Sequence, residues 1–317
     1  MFFKNLMKWM IMLTIIISIS SNNWFIFWIM MEMNMLMFIP ILKMNKMENC
    51  NSMISYFIIQ SFSSILFFMG SSMMLINSFF MNETLINISL MIKLAMIPFH
   101  SWLILISETL DYNSFMIILT IQKVIPLFIL DKMKSMITFF MSILSITCSS
   151  IMIFNLKLFK KVLIFSSISH MSWMIIIMFS SSNFWMLYMI IYFYMIFMIV
   201  KILKKMNINS INSLMKIKGN DKISILISLL SLGGMPPFIG FIIKFLAILI
   251  IIKYSVISMI ILILSSLINI FIYMRMVTPS LMMFNKLNIN FNFYKLMKNF
   301  IFSMTVIFTF FMINTIF

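Results

Sequence analysis

SILISLLSLGGMPPFIGFIIKFLAILIII, from Ser224 to Ile252, holds three of the chain's five glycines (Gly233, Gly234, Gly240) and two of its six prolines (Pro236, Pro237). Lys244 follows in an otherwise apolar run. Proline removes a backbone donor and clashes with the preceding turn, and glycine loosens a helix. The stretch therefore reads as a membrane helix broken in its middle, with a charge just past the break. Irregular backbone at membrane depth is tolerated only where protein buries it or a wet cavity lies beside it. An ionisable residue at that depth points to function. The competing reading is a plain proline kink whose lysine snorkels to the surface.

The rest of the chain agrees with a membrane setting. Its 317 residues are 63% hydrophobic and 9% charged, with a mean hydropathy of +1.13. A soluble domain cannot hide that much apolar surface. The sequence predicts an all-α polytopic membrane protein, one integral domain over residues 1–317. The net charge of +16 forms no contiguous basic domain, so nucleic acid is not the expected partner. The lysines lie between apolar runs, as a topology signal does. Cys50 and Cys148 sit in separate segments without metal spacing, and His100 and His170 match no metal motif. Ile, Met, Phe, Asn, Lys and Ser dominate the composition, and their codons are mostly A/T-rich, as in an organelle's genome.

A spanning helix needs about 20 apolar residues. Eleven candidates run over 5–20, 24–42, 53–76, 85–106, 113–131, 135–154, 161–180, 184–203, 222–252 (broken), 254–282 and 299–317. The first has the Lys4–Lys8 flank and apolar core of a signal peptide, but a second span follows at once, which favours a mature helix. Alternating the spans sorts the basic residues into seventeen on the N-terminal side, three on the other and three within spans, which accounts for all 23. That bias places the N-terminus on the positive, inner side.

Four ionisable residues fall deep in these spans: Glu32, Lys93, Lys123 and Lys244. Each costs about 2.5–3.5 kcal/mol at a helix centre on insertion scales. Trp24, Trp28 and Glu32 share one helical face. One glutamate cannot pair three lysines, so static ion pairs do not account for the set. Burial favours the uncharged amine, and amines poised between two states form a proton relay. Lys93 precedes Pro98, as Lys244 follows Pro236 and Pro237, so two proline-interrupted helices each carry a lysine. Such pairs occur in inverted-repeat transporters. His170, in KKVLIFSSISHMSWM, has Ser166, Ser167 and Ser169 as hydrogen-bonding neighbours. It is either a satisfied polar group or part of a water wire. Glu108 and Asp111 fall in a short connection and read as a solvated turn, the alternative being a role at the relay's edge.

SNNWFIFWIMMEMNMLMFIPI, IKLAMIPFHSW, LTIQKVIPL, KKVLIFSSISHMSWM, LSLGGMPPFIGFIIKF and FIYMRM occur in this order over about residues 20–280. In these segments the chain resembles the antiporter-like subunit 2 family of mitochondrial NADH:ubiquinone oxidoreductase, respiratory complex I. The resemblance implies an antiporter-like bundle with discontinuous helices, its core at about 20–282 and a C-terminal helix at about 299–317. It implies a proton-translocating subunit of an enzyme complex, in the mitochondrial inner membrane with its N-terminus on the matrix side, beside neighbouring antiporter-like subunits. Catalytic, cofactor and metal sites are not expected in this chain. NADH, FMN, iron–sulfur clusters and ubiquinone belong to other subunits. The family's glutamate matches Glu32 and its relay lysines match Lys93, Lys123 and Lys244. In that family the glutamate and first lysine interact, the middle lysine passes protons on and the last faces the exit or the neighbouring subunit. Lys160, Lys161 and His170 match its basic pair and mid-helix histidine, as candidate water-wire residues. The chain departs from the family at Ile104 and Leu105, where Pro-Glu is usual, at Ile243 and Phe245 beside the last lysine, and at Cys148, Ser149 and Ser150, where glycines are common. The alternative function is a stand-alone cation/proton antiporter, which acts in isolation.

Overall fold

The computed structural model describes residues 2–42, 48–74, 79–180, 183–216 and 220–282. Thirteen α-helices follow one another, with no strand among the described residues. They are α1 (Phe2–Ser20), α2 (Trp24–Leu42), α3 (Glu48–Met73), α4 (Phe79–Leu94), α5 (Ser101–Thr109), α6 (Tyr112–Leu119) and α7 (Val124–Met133). Then come α8 (Met136–Met152), α9 (Phe159–Phe179), α10 (Phe184–Met206), α11 (Asn220–Gly233), α12 (Ile239–Ile251) and α13 (Val256–Met282). Among the described residues, eight spans are long and apolar enough to cross a membrane. The pairs α4–α5 and α11–α12 each occupy one more predicted span, which gives ten. The eleventh expected helix, 299–317, lies outside the described residues.

α9 is the centre. Eighteen of its 21 residues are buried, among them Ser166, Ser167, Ser169, His170 and Ser172. Its neighbour α8 faces it with Ser142, Ser145 and Ser149, each fully buried. Small side chains let membrane helices approach closely, and Ser145 and Ser172 join the two helices by a 2.6 Å hydrogen bond between hydroxyls. α1 packs on α2 through an apolar side that includes Ile11 and Ile15.

The connections sort into two ends, as alternating spans require. At one end, Tyr112 hydrogen-bonds the Ile208 carbonyl, Lys204 reaches Asn113 at 3.1 Å, and Lys160 reaches the Leu110 carbonyl at 2.5 Å. Backbone bonds there join Phe159 to Asn209 at 3.1 Å and Ile211 to Lys157 at 3.0 Å. At the other end, Lys132 holds the α1–α2 connection through the Ser21 carbonyl and Asn22. Phe139, Phe179 and Tyr254 pack together there. These groupings are those of the predicted alternation, and the lysine-rich connections share one end.

Candidate functional site

The break between α11 and α12 builds the site around Lys244. Gly234 has φ +86, and Gly234 and Met235 both bond back to the Leu230 carbonyl at 3.1 Å, so the chain leaves α11 in a left-handed cap. Pro236 and Pro237 follow, and α12 begins at Ile239. Gly240 must be glycine, because a Cβ there falls 1.7 Å from the Ser231 carbonyl oxygen. The break frees the carbonyls at the end of α11. Lys244, on α12, returns to them, with Nζ 3.0 Å from the Gly233 oxygen and 3.4 Å from that of Leu232. The side chain is 6% exposed, so the snorkelling alternative does not describe it.

The break between α4 and α5 has the same logic. Ala95 is left-handed at φ 57, and Pro98 lies in the turn that follows. The freed Ile92 carbonyl is taken by the indole N–H of Trp102 at 3.1 Å. Lys93 sits at the last turn of α4, immediately before this break.

A third break was not expected from the sequence. The predicted span over 113–131 is interrupted at Thr120, and residues Ile121–Lys123 form a single 3-10 turn between α6 and α7. Its physical cause is Pro126, which cannot donate to the Gln122 carbonyl as a continuous helix requires. The turn buries Lys123 at 2% exposure and points its ammonium at the Ser167 hydroxyl, 3.0 Å away. All three lysines of the row therefore lie at helix breaks.

Glu32 accepts a hydrogen bond from Ser64 on α3. The tryptophans that share its face meet the same helix, Trp28 on Phe68 at 4.9 Å and Trp24 on Phe67 at 6.3 Å. The described residues hold two ion pairs, and neither includes Glu32 or Lys93. Between Lys93 and Lys123 lies a cavity of about 20 Å³, lined on its polar side by Asn34, Tyr56, Gln60 and Gln122. A water needs about 10–15 Å³ on this measure and two or more polar partners, so the cavity has room for one or two. Gln122 donates to Asn34 across it at 3.0 Å. Sequence reasoning missed Asn34, Gln60 and Gln122. A neutral amide in an apolar run carries no charge signal, though Gln122 adjoins Lys123 in the QK pair.

His170 is buried at 2% exposure, with Nδ1 2.9 Å from the Tyr188 hydroxyl. It stands one helical turn beyond Ser167, the hydroxyl that Lys123 meets. Lys160 and Lys161 are placed differently. They sit in the first turn of α9, about 14 Å along the axis from His170 at 1.5 Å per residue. Lys160 binds the Leu110 carbonyl and covers the Tyr112 ring at 5.4 Å, while Lys161 pairs with Glu108 at 2.6 Å. Glu108 ends α5 at the surface rather than standing free in a turn. Among the described residues, no group of three or more His, Cys, Asp or Glu is placed to hold a metal.

Residues 21–272 match a family model described as NADH:quinone oxidoreductase/Mrp antiporter, TM. The chain is 46% identical over 314 residues to the NADH-ubiquinone oxidoreductase chain 2 of Rhipicephalus sanguineus, covering 98% of this chain and all of that one. In fold it is similar to a chain of respiratory complex I from Thermus thermophilus, with a TM-score of 0.81 at 16% identity over 88% of this chain and 71% of that one. A chain of the Mrp complex from a Dietzia species gives a TM-score of 0.71 at 11% identity, over 85% of this chain and 59% of that one.

Proposed function

The chain belongs to the NADH:quinone oxidoreductase/Mrp antiporter family, among its NADH-ubiquinone oxidoreductase chain 2 members, and from that premise we propose that Glu32, Lys93, Lys123, His170 and Lys244 form its proton path. It is a core membrane subunit of respiratory complex I and contributes a proton-translocation channel to it. Electron transfer from NADH to ubiquinone, with the FMN and iron–sulfur clusters it uses, belongs to other subunits, and this chain carries no redox centre. It lies in the mitochondrial inner membrane beside further antiporter-like subunits, with its lysine-rich end on the matrix side.

The observation that carries this reading is that every lysine of the row sits at a helix break. A break is the one place in a membrane helix where backbone polar groups and water meet an ammonium at low cost. A charge change near Glu32 alters the proton affinity of Lys93. The polar cavity links Lys93 to Lys123, and His170 stands between Lys123 and Lys244. A row of amines, each able to hold or release a proton, then moves protons without any covalent chemistry. Lys160 and Lys161 lie at the positive mouth of α9, where they hold the α5–α6 connection.

Lys123→Ala in the assembled complex, reconstituted in vesicles, tests the path. Assembly and NADH oxidation are expected to persist while the number of protons moved per electron pair falls. An unchanged ratio removes Lys123 from the path. Purified alone, the chain is expected to give no cation-dependent proton flux, whereas a stand-alone antiporter gives it.

A further inference from the structure

α10 turns one stripe of side chains away from the bundle. Met186, Ile190 and Phe197 are exposed along it, and Lys201 and Lys204, also exposed, continue it at helical spacing toward the lysine-rich end. Lys201 lies five residues before α10 ends at Met206, about 7.5 Å inside it at 1.5 Å per residue. A lysine near the end of a spanning helix ordinarily snorkels outward. Lys201 instead bends back, with Nζ 5.8 Å from the centroid of the Phe197 ring one turn deeper, where the negative face of the ring attracts it. No described carboxylate meets it there, since the ion pairs among the described residues are Lys134–Asp131 and Lys161–Glu108. The connections at this end add Lys157, Lys160 and Lys161 to Lys201 and Lys204, against Glu108 and Asp111. Positive charge is therefore in excess. A topology signal accounts for lysines in connections. It does not account for an ammonium turned back onto an exposed apolar stripe.

We infer that the outer face of α10 is a binding site for an anionic phospholipid, with its acyl chains along Met186, Ile190 and Phe197 and its phosphate on Lys201. The phosphate supplies the counter-charge that no described carboxylate gives this ammonium, in a charge-assisted hydrogen bond. Basic groups at the end of a spanning helix hold anionic headgroups in this way. Phe197 fixes the depth, because it keeps the ammonium where a headgroup phosphate meets the first carbons of its chains. A zwitterionic lipid carries the same phosphate, but the surplus lysines repel its cationic end, so the site selects a headgroup of net negative charge. The site does not depend on the proton path proposed above.

The test places the assembled complex in phosphatidylcholine vesicles that contain phosphatidylglycerol with a photoreactive acyl chain, or phosphatidylcholine with the same chain, and maps the labelled peptides by mass spectrometry. α8 is the internal reference. Its Phe140 and Leu144 are likewise exposed, but the lysine just before it, Lys134, is paired with Asp131 at 3.3 Å. The expected result is several-fold more label from phosphatidylglycerol than from phosphatidylcholine over Ile190–Phe197, and equal label from both over Phe140–Leu144. Lys201→Gln is expected to bring the α10 ratio down to that of α8, and Lys201→Arg to keep it. A ratio on α10 of the unaltered complex no higher than on α8 overturns the inference without recourse to a variant. An undiminished ratio in Lys201→Gln overturns it by assigning the selection to the charge of that end as a whole. No label on α10 from either lipid means that another subunit covers the face, which overturns it too. Proton yield is not the readout, so each of these outcomes leaves the lysine path where it stands.

Discussion

Gly234 meets two demands at once. Its φ of +86 belongs to a region that L side chains rarely adopt, and a Cβ there comes 3.0 Å from Lys244 Nζ and 3.1 Å from its Cδ. Gly234→Ala is therefore expected to cost about 1–3 kcal/mol of backbone strain and to push Lys244 off the Gly233 carbonyl. A lowered thermal midpoint of the solubilised complex, together with a lowered proton yield, checks both. Gln122 holds Asn34 across the cavity by one hydrogen bond. Gln122→Leu leaves the Asn34 oxygen without that donor, which is expected to cost about 1–3 kcal/mol and to lower the proton yield while NADH oxidation continues. The Glu108–Lys161 pair makes the opposite case. Its side chains are 52% and 27% exposed, and pairs of that kind contribute about 0–1 kcal/mol. Glu108→Gln is expected to leave stability and pumping unchanged, and a depressed proton yield in that variant places the pair at the proton entry.

At the scale of helices, the two breaks at Pro98 and at Pro236–Pro237 were readable because proline and lysine occur together in runs otherwise apolar. The third was not. Pro126 is the third residue of α7, where a helix has a free N–H in any case and proline is tolerated. The same proline thus fits a helix start or a kink, and no glycine beside it announces a turn. What settles the matter is Thr120, whose φ −118 and ψ −83 end α6, with Lys123 held inward by Ser167 of the central helix. Replacing Pro236 and Pro237 together by alanine is expected to let α11 run on toward α12. The carbonyls that hold Lys244 then return to the helix ladder. Proton yield should fall with assembly retained, and unaltered pumping in that variant means the break has no part in the path.

Over the whole molecule, the connections gather at two ends, and the lysine-rich end holds the 108–113, 156–161 and 204–211 connections together. If that end faces the matrix, a thiol-directed probe that cannot cross the membrane labels Lys157→Cys only from the matrix side and Lys253→Cys only from the other. Labelling of both from one side refutes the alternation. The amino-acid sequence alone determined the membrane class, the alternation of the spans, two of the three breaks and the identity of the deep charges. Each of these follows from local quantities: apolar length, the count of lysines in connections, the missing N–H of proline and the cost of an ion in hydrocarbon. Only the tertiary structure decided what those charges face. Lys244 on carbonyls freed eleven residues earlier in the chain, Lys123 on Ser167 forty-four residues on, and His170 on Tyr188 eighteen residues on are meetings between helices. Such contacts depend on how α9, joined to α8 through serines, lets its neighbours close around it, and no local pattern encodes which side chains then come face to face.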